Sequence, residues 1–251
     1  MINDALHIKT VGLDREQHRT LKLNVEHREP TLAANLHAIF LATVEFADAC
    51  RDLPIVWINA GQGPDGQPAI APVALLGMKA GQNLCIQPDG RWRTRYLPVM
   101  IRMYPFGMVR VGENQLVLCV DESWGGLNRT TGNALFEPSG EPSEFTRGIQ
   151  KQLEEYEMEV ERTRLVGAKL KELGLLRDMR FDATTPDGTK VGIDGFMTVD
   201  DDKLRGLKDA DVLELNRIGV LGLIHAHQIS LGNTAKLVEW MLEAPPAAAA
   251  S

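Results

Sequence analysis

Between Ser143 and Gly174 the apolar positions Phe145, Ile149, Leu153, Tyr156, Val160, Thr163, Val166, Leu170 and Leu173 recur every three or four residues. That spacing puts them on one face of an α-helix. Ser143 supplies an N-cap oxygen and Gly174 can take the left-handed conformation that stops a helix, so both ends are marked. A helix of about 30 residues spans about 45 Å, longer than the core of a 251-residue chain requires throughout. It is therefore predicted to bend near Gly167 or to project as an arm. A projecting arm offers a face for a partner helix or a homo-oligomer contact; the plainer alternative is a helix laid along a sheet.

Ahead of this helix the periodicity is that of strands. Residues 7–12 and 20–25 alternate apolar and polar, Ile55–Ile58 and Ala69–Leu76 are apolar runs, and Met108–Val111 and Leu116–Val120 flank Gly112-Glu113-Asn114 as a hairpin. One helix is predicted over Asn35–Cys50, from Leu36, Ile39, Phe40, Val44 and Ala47, after His27 has led into a turn ending at Pro30. The loop Ala60–Pro68 contains Gly61, Gly63 and Gly66 in dinucleotide-fingerprint spacing, but it carries Pro64 and leads into a strand rather than a helix, so the fingerprint reading fails. Residues 125–142 form a polar loop with Leu135-Phe136 turned into the core.

Beyond Gly174, short strands are predicted at Met179–Phe181, Val191–Ile193 and Phe196–Val199 around the turn Pro186-Asp187-Gly188. Asp200-Asp201-Asp202 lacks calcium-loop spacing and fits an N-cap with acids in the first turn. Asp209–Leu231 is predicted as a helix that is apolar nearly all round from Ile218 to Ile224, and Asn233 as the cap of a last helix, Thr234–Leu242. The fold class is α+β: a mixed, largely antiparallel sheet with the long helix and the C-terminal helices packed on it. A single domain is expected over residues 1–243, with a β-rich lobe over about 1–140 and a helix-rich lobe over about 141–243, and a disordered tail over 244–251.

The net charge of −7 argues against nonspecific nucleic-acid binding and a polybasic membrane contact. Cys50, Cys85 and Cys119 are far apart and odd in number, which suggests free thiols rather than a disulfide framework or a zinc ribbon. No run is long and apolar enough to span a membrane, and the first residues lack the basic and apolar regions of a signal peptide. A cytoplasmic location follows as the expectation, with surface association possible only by signal-independent export.

Candidate chemistry is sparse. Asp121-Glu122 at a strand end are weak candidates for a general base or metal ligands, solvated acids or partners of Arg102 being the plainer reading. His225 and His227 are two residues apart, so on a helix they point in nearly opposite directions and cannot share a metal; His227 is expected as a hydrogen-bonded core residue, its catalytic use being the alternative. Neither a metal nor a cofactor is implied, and no nucleophile elbow, phosphate loop or zinc-protease helix is present.

The richest stretch runs from Asp89 to Val109. Asp89-Gly90 reads as a reversal, Arg91, Arg93 and Arg95 alternate with Trp92, Thr94 and Tyr96, and Pro98 and Pro105 confine any helix between them to about two turns. The alternation predicts an extended segment with cations on one face and aromatics on the other, either an anion or peptide groove or an edge strand capping the core. Arg102 is expected among buried residues, with a carboxylate or carbonyl partner and a mainly structural role.

Trp92, Tyr96, Pro98, Arg102 and Tyr104-Pro105-Phe106 resemble the W-x-x-x-Y-x-P-x-x-x-R-x-Y-P-F core of the bacterial SapC-like family, named for an association with surface layers. Further similar stretches are Glu45-Phe46 before Pro54-Ile55-Val56, Pro72–Gly77 with Asn83-Leu84, Ala134–Phe136 before Gly140–Ser143, and Ala226-His227 before Ser230-Leu231, covering roughly residues 27 to 238. The resemblance implies a chain of similar length and fold and carries no reaction or catalytic residues. It points to an accessory or binding protein acting on a protein or peptide partner in surface-layer or envelope biology, through Arg91, Trp92, Arg95, Tyr96 and Arg102. The alternative is an enzyme modifying a peptide or sugar, with His227, Asp121 or Glu122 in a pocket lined by Arg91 and Trp92.

Overall fold

The computed structural model describes residues 2–27, 29, 32–63, 66, 68–112, 115–184, 188 and 190–243. In chain order the strands and helices are β1 (Thr10–Gly12), β2 (Lys22–Leu23), β3 (Ala38–Phe40), α1 (Phe46–Ala49), β4 (Ile55–Gln62), β5 (Pro68–Leu75), α2 (Val99–Arg102), β6 (Phe106–Val111) and β7 (Gln115–Asp121). There follow β8 (Leu127–Asn128), β9 (Asn133–Ala134), α3 (Glu144–Glu172), β10 (Leu176–Thr184), β11 (Lys190–Val199), α4 (Asp201–Arg205), α5 (Asp209–Arg217), α6 (Val220–Ser230) and α7 (Thr234–Glu243). The strand pairs are antiparallel, and the α+β class stands. Pro30, Pro64, Glu113-Asn114, Pro186-Asp187 and the tail 244–251 lie outside the described residues.

The chain forms two compact units, each assembled from two segments: residues 1–33 with 99–158, and residues 34–98 with 159–251. In the first, β1-β7-β6 and β8-β2-β9 form three-stranded sheets. Phe106 pairs with Val120 and Met108 with Leu118, so the period-two alternation of both strands turns one face inward. Those four side chains pack with Leu23, Trp124, Leu135, Phe136 and Leu153 from the first half of α3. Ser143 caps that helix, its Oγ accepting from Thr146 N at 3.1 Å.

The second unit holds a five-stranded sheet in the order β10-β11-β4-β5-β3. Its β4 is buried at Ile55, Val56 and Trp57, and α6 packs against it through Val220, Ile224, His227 and Ser230, three or four residues apart. Ser230 Oγ accepts from Ile55 N at 2.9 Å, which ties the helix to the strand. The predicted single helix over Asp209–Leu231 is broken, because Gly219 adopts φ +77° and separates α5 from α6. Asn233 does not cap α7 as expected; its Nδ2 donates to the carbonyls of Cys50 and Leu53.

Two further expectations are corrected. Asn35–Cys50 is not one helix: Ile39 and Phe40 lie in β3, paired with Ala74 and Val73, and helical structure begins only at Thr43. A buried strand satisfied the same apolar positions that suggested a helical face. α3 neither breaks nor projects at Gly167; a Cβ there would lie 2.4 Å from the carbonyl oxygen of Ile70, so glycine permits close approach to β5. Thr163 Oγ1 accepts from Thr43 N at 2.8 Å, one turn before this contact. Gly167→Ala is therefore expected to destabilise by about 2 kcal/mol, the steric penalty outweighing the roughly 1 kcal/mol gain in helix propensity. Denaturant unfolding measures it, and an unchanged or raised midpoint would contradict the close-approach reading.

Candidate functional site

The reversal at Asp89-Gly90 forms as its residue types dictate, with Gly90 at φ +81°. The Asp89 carboxylate accepts from Arg91 N at 3.1 Å and Arg91 Nε at 2.7 Å, and these bonds hold its pKa below the usual carboxylate range. From Trp92 onward the segment is not the predicted alternating strand. Trp92 makes one isolated bridge to Ile86, Arg93 N donates to Cys85 O at 2.7 Å, and the chain then bends.

Carboxylates from distant positions fix those bends. Asp52 Oδ2 accepts from the backbone N–H groups of Arg95 at 2.9 Å and Tyr96 at 3.0 Å. Tyr96 Oη donates to Glu45 Oε1 at 2.6 Å, while Glu45 Oε2 accepts from Ala42 N at 2.9 Å. Glu45 is buried, and its paired oxygens satisfy what burial demands of a carboxylate. The result is a pinned loop on which Arg91 and Arg95 are exposed and Trp92 and Tyr96 half-buried. Arg93 departs from the alternation, Nη1 reaching Glu243 Oε2 at 2.7 Å.

Arg102 is not the buried anchor expected of it. It is exposed, on the outer side of the single turn of α2 whose Met100 and Ile101 face inward. It also belongs to the first unit, whereas Arg91, Trp92, Arg95 and Tyr96 belong to the second.

Asp121 ends β7 fully buried. Its Oδ2 accepts from Ile8 N at 2.7 Å and Tyr104 Oη at 3.2 Å, and its Oδ1 from Lys9 N at 3.0 Å and from Ser123 N and Oγ at 2.9 and 2.6 Å. Burial pushes this carboxyl up, but the donated hydrogen bonds from Ser123, Ile8 and Lys9 outweigh it and leave the pKa lowered. Glu122 faces Lys9 Nζ at 2.9 Å and His18 Nε2 at 3.2 Å. Because His18 Nδ1 accepts from Asp14 N at 2.8 Å, Nε2 carries the proton that points at Glu122. His7, tilted against Tyr104 at 5.4 Å, has its pKa lowered chiefly by burial. These groups knot the N-terminal segment to the end of β7, and the expected pairing of Asp121 or Glu122 with Arg102 gives way to these contacts.

His227 is fully buried on α6. Nδ1–H donates to Ile55 O at 2.8 Å and Nε2 accepts from Val199 N at 3.1 Å, so the neutral ring ties β4 to β11. Burial pushes its pKa down to about 4. His225 is exposed and bonded to Gln228, as the two-residue offset requires. Among the described residues no three His, Cys, Asp or Glu side chains are placed to hold a metal ion, and no helix is long and apolar enough to cross a membrane. A groove of about 370 Å³ beside Ile70 and Ala168 is lined by Arg164 and Lys171, which bond Glu161 and Pro68 O respectively.

The structure thus brings Arg91, Trp92, Arg95 and Tyr96 together on one loop, and places Asp121 and Glu122 in a different unit from His227. Sequence reasoning missed Asp52, Glu45, Trp240 and Glu243, which lie dozens of residues or more from the loop and carry no spacing signal. In comparison with known proteins, a family model described as SapC matches residues 13–237. No curated protein and no solved structure matches.

Proposed function

We propose, from the premise that this chain belongs to the SapC family, that it is a non-catalytic accessory or binding protein for a protein or peptide partner in bacterial surface-layer or envelope biology. The partner-binding face is the pinned loop, with Arg91 and Arg95 as donors and Trp92 and Tyr96 as platforms. The observation that carries this reading is that Asp52 and Glu45 hold the loop's backbone and its tyrosine while its two outer arginines remain exposed. Such an arrangement lowers the ordering cost of binding, which runs at about 0.5–1.5 kcal/mol per immobilised side chain. The enzymic alternative is less well supported, since the polar atoms of Asp121 and His227 are engaged in buried hydrogen bonds.

A pull-down from a surface-layer extract of the source bacterium tests the reading, comparing wild type with an Arg91→Glu/Arg95→Glu variant whose melting curve is intact. Proteins enriched by the wild type are expected to fall about tenfold or more with the variant, and to be lost at high salt. Equal recovery by both proteins would contradict it.

A further inference from the structure

Arg93 behaves unlike the arginines two residues to either side. Its guanidinium carbon lies 5.7 Å from the centre of the Trp240 ring, and Nη1 donates to Glu243 Oε2 at 2.7 Å. The guanidinium is thus held between an indole and a carboxylate, both from α7. Its Nε is shielded from solvent and has no acceptor among the described residues. An arginine that meets a carboxylate squarely uses two parallel N–H groups, and Glu243 takes one.

Glu243 is also weakly placed. Its side chain is 58% exposed, and it sits at the last residue of α7, where a carboxylate faces the negative end of the helix dipole. Such a half-solvated pair is easily exchanged. The carboxylate occupies the arginine without completing its donor set, as a poor ligand would.

We propose that Arg93, backed by Trp240, receives a carboxylate side chain of an acidic peptide segment, and that Glu243 is the built-in competitor which the peptide displaces. The inference rests on the reading of the Arg91–Tyr96 loop as the partner-binding face, and adds the class of partner. Charge complementarity selects that class: three arginines within five residues create a local positive field on a chain of net charge −7. Exposed Arg91 and Arg95 stand on either side of Arg93 in the sequence to meet acids flanking the central one. The incoming carboxylate takes Nη1 and the vacant Nε together once Glu243 has moved into water.

Fluorescence anisotropy with the full chain tests this, using fluorescein-labelled hexaglutamate and hexaglutamine as probes. Hexaglutamate is expected to bind and hexaglutamine not. Glu243→Gln removes the competitor and is expected to tighten hexaglutamate binding by about three- to tenfold. Arg93→Lys in the same background keeps the charge, loses the fork and is expected to abolish that gain. Unchanged or weaker binding by the Glu243→Gln variant, or equal binding of the two probes, would overturn the proposal. If that happens while the Arg91→Glu/Arg95→Glu variant still loses its surface-layer partner, the acidic-peptide assignment fails and the broader binding reading stands. If charge reversal leaves the pull-down unchanged, the broader reading itself fails.

Discussion

Asp121→Ala is expected to destabilise the protein by about 3–5 kcal/mol, the range for removing one side of a buried, hydrogen-bonded charge. The carboxylate accepts from the main-chain N–H groups of Ile8, Lys9 and Ser123 and from two hydroxyls. Alanine supplies no acceptor to any of them. The hydroxyls can rotate toward other partners, but the N–H groups of Ile8 and Lys9 are fixed by the chain that leads into β1. Their amide hydrogen exchange is expected to accelerate most. Because the carboxyl titrates below its ordinary value, its contribution is complete above the ordinary carboxylate range and disappears as the pH falls through the folded value. Urea unfolding of wild type and variant at neutral pH measures the loss, and a difference below about 1 kcal/mol would mean that water replaces the carboxylate.

His227→Ala is the second large effect, expected at about 3–4 kcal/mol, because it opens a cavity and leaves Ile55 C=O and Val199 N–H unpaired. The wild-type side chain also imposes a pH dependence. With a folded pKa of about 4 against a model value of 6.5, the unfolded chain takes up a proton between those values while the folded chain does not. The neutral ring's contribution is therefore complete above the unfolded value and declines as the pH falls toward the folded one, by up to about 3 kcal/mol. The variant is expected to lose that part of the slope. A variant with the wild-type slope would show that another group titrates there.

The elements legible in the sequence were those whose signals are local. The nine-position stripe and Ser143 cap of α3 specify a helix without reference to the rest of the chain, and Asp200 caps α4 as its spacing indicated, accepting from Asp202 N and Lys203 N. His227 could be read as a core residue because an i, i+2 histidine pair on a helix cannot converge. What was not legible depended on remote partners. The alternation from Arg91 to Tyr96 suggests a strand, but Asp52 and Glu45 impose bends from more than forty residues away. Arg93 cannot be told from Arg91 or Arg95 without Trp240 and Glu243, which α7 delivers. Arg102 was misplaced because its apolar neighbours, Met100 and Ile101, imply burial of the turn and say nothing about its outer side.

The central claim is that the pinned loop touches a partner, and site-specific photo-crosslinking tests it most directly. Trp92 is replaced by p-benzoylphenylalanine, and in a control protein so is Leu165, an exposed apolar residue of α3. Both are irradiated in the surface-layer extract and the adducts identified by mass spectrometry. A single adduct species from position 92, suppressed by Arg91→Glu/Arg95→Glu and not formed from position 165, is the expected result. An adduct from position 165 alone, or equal adducts from both positions, would contradict the claim and move the interaction surface off the loop.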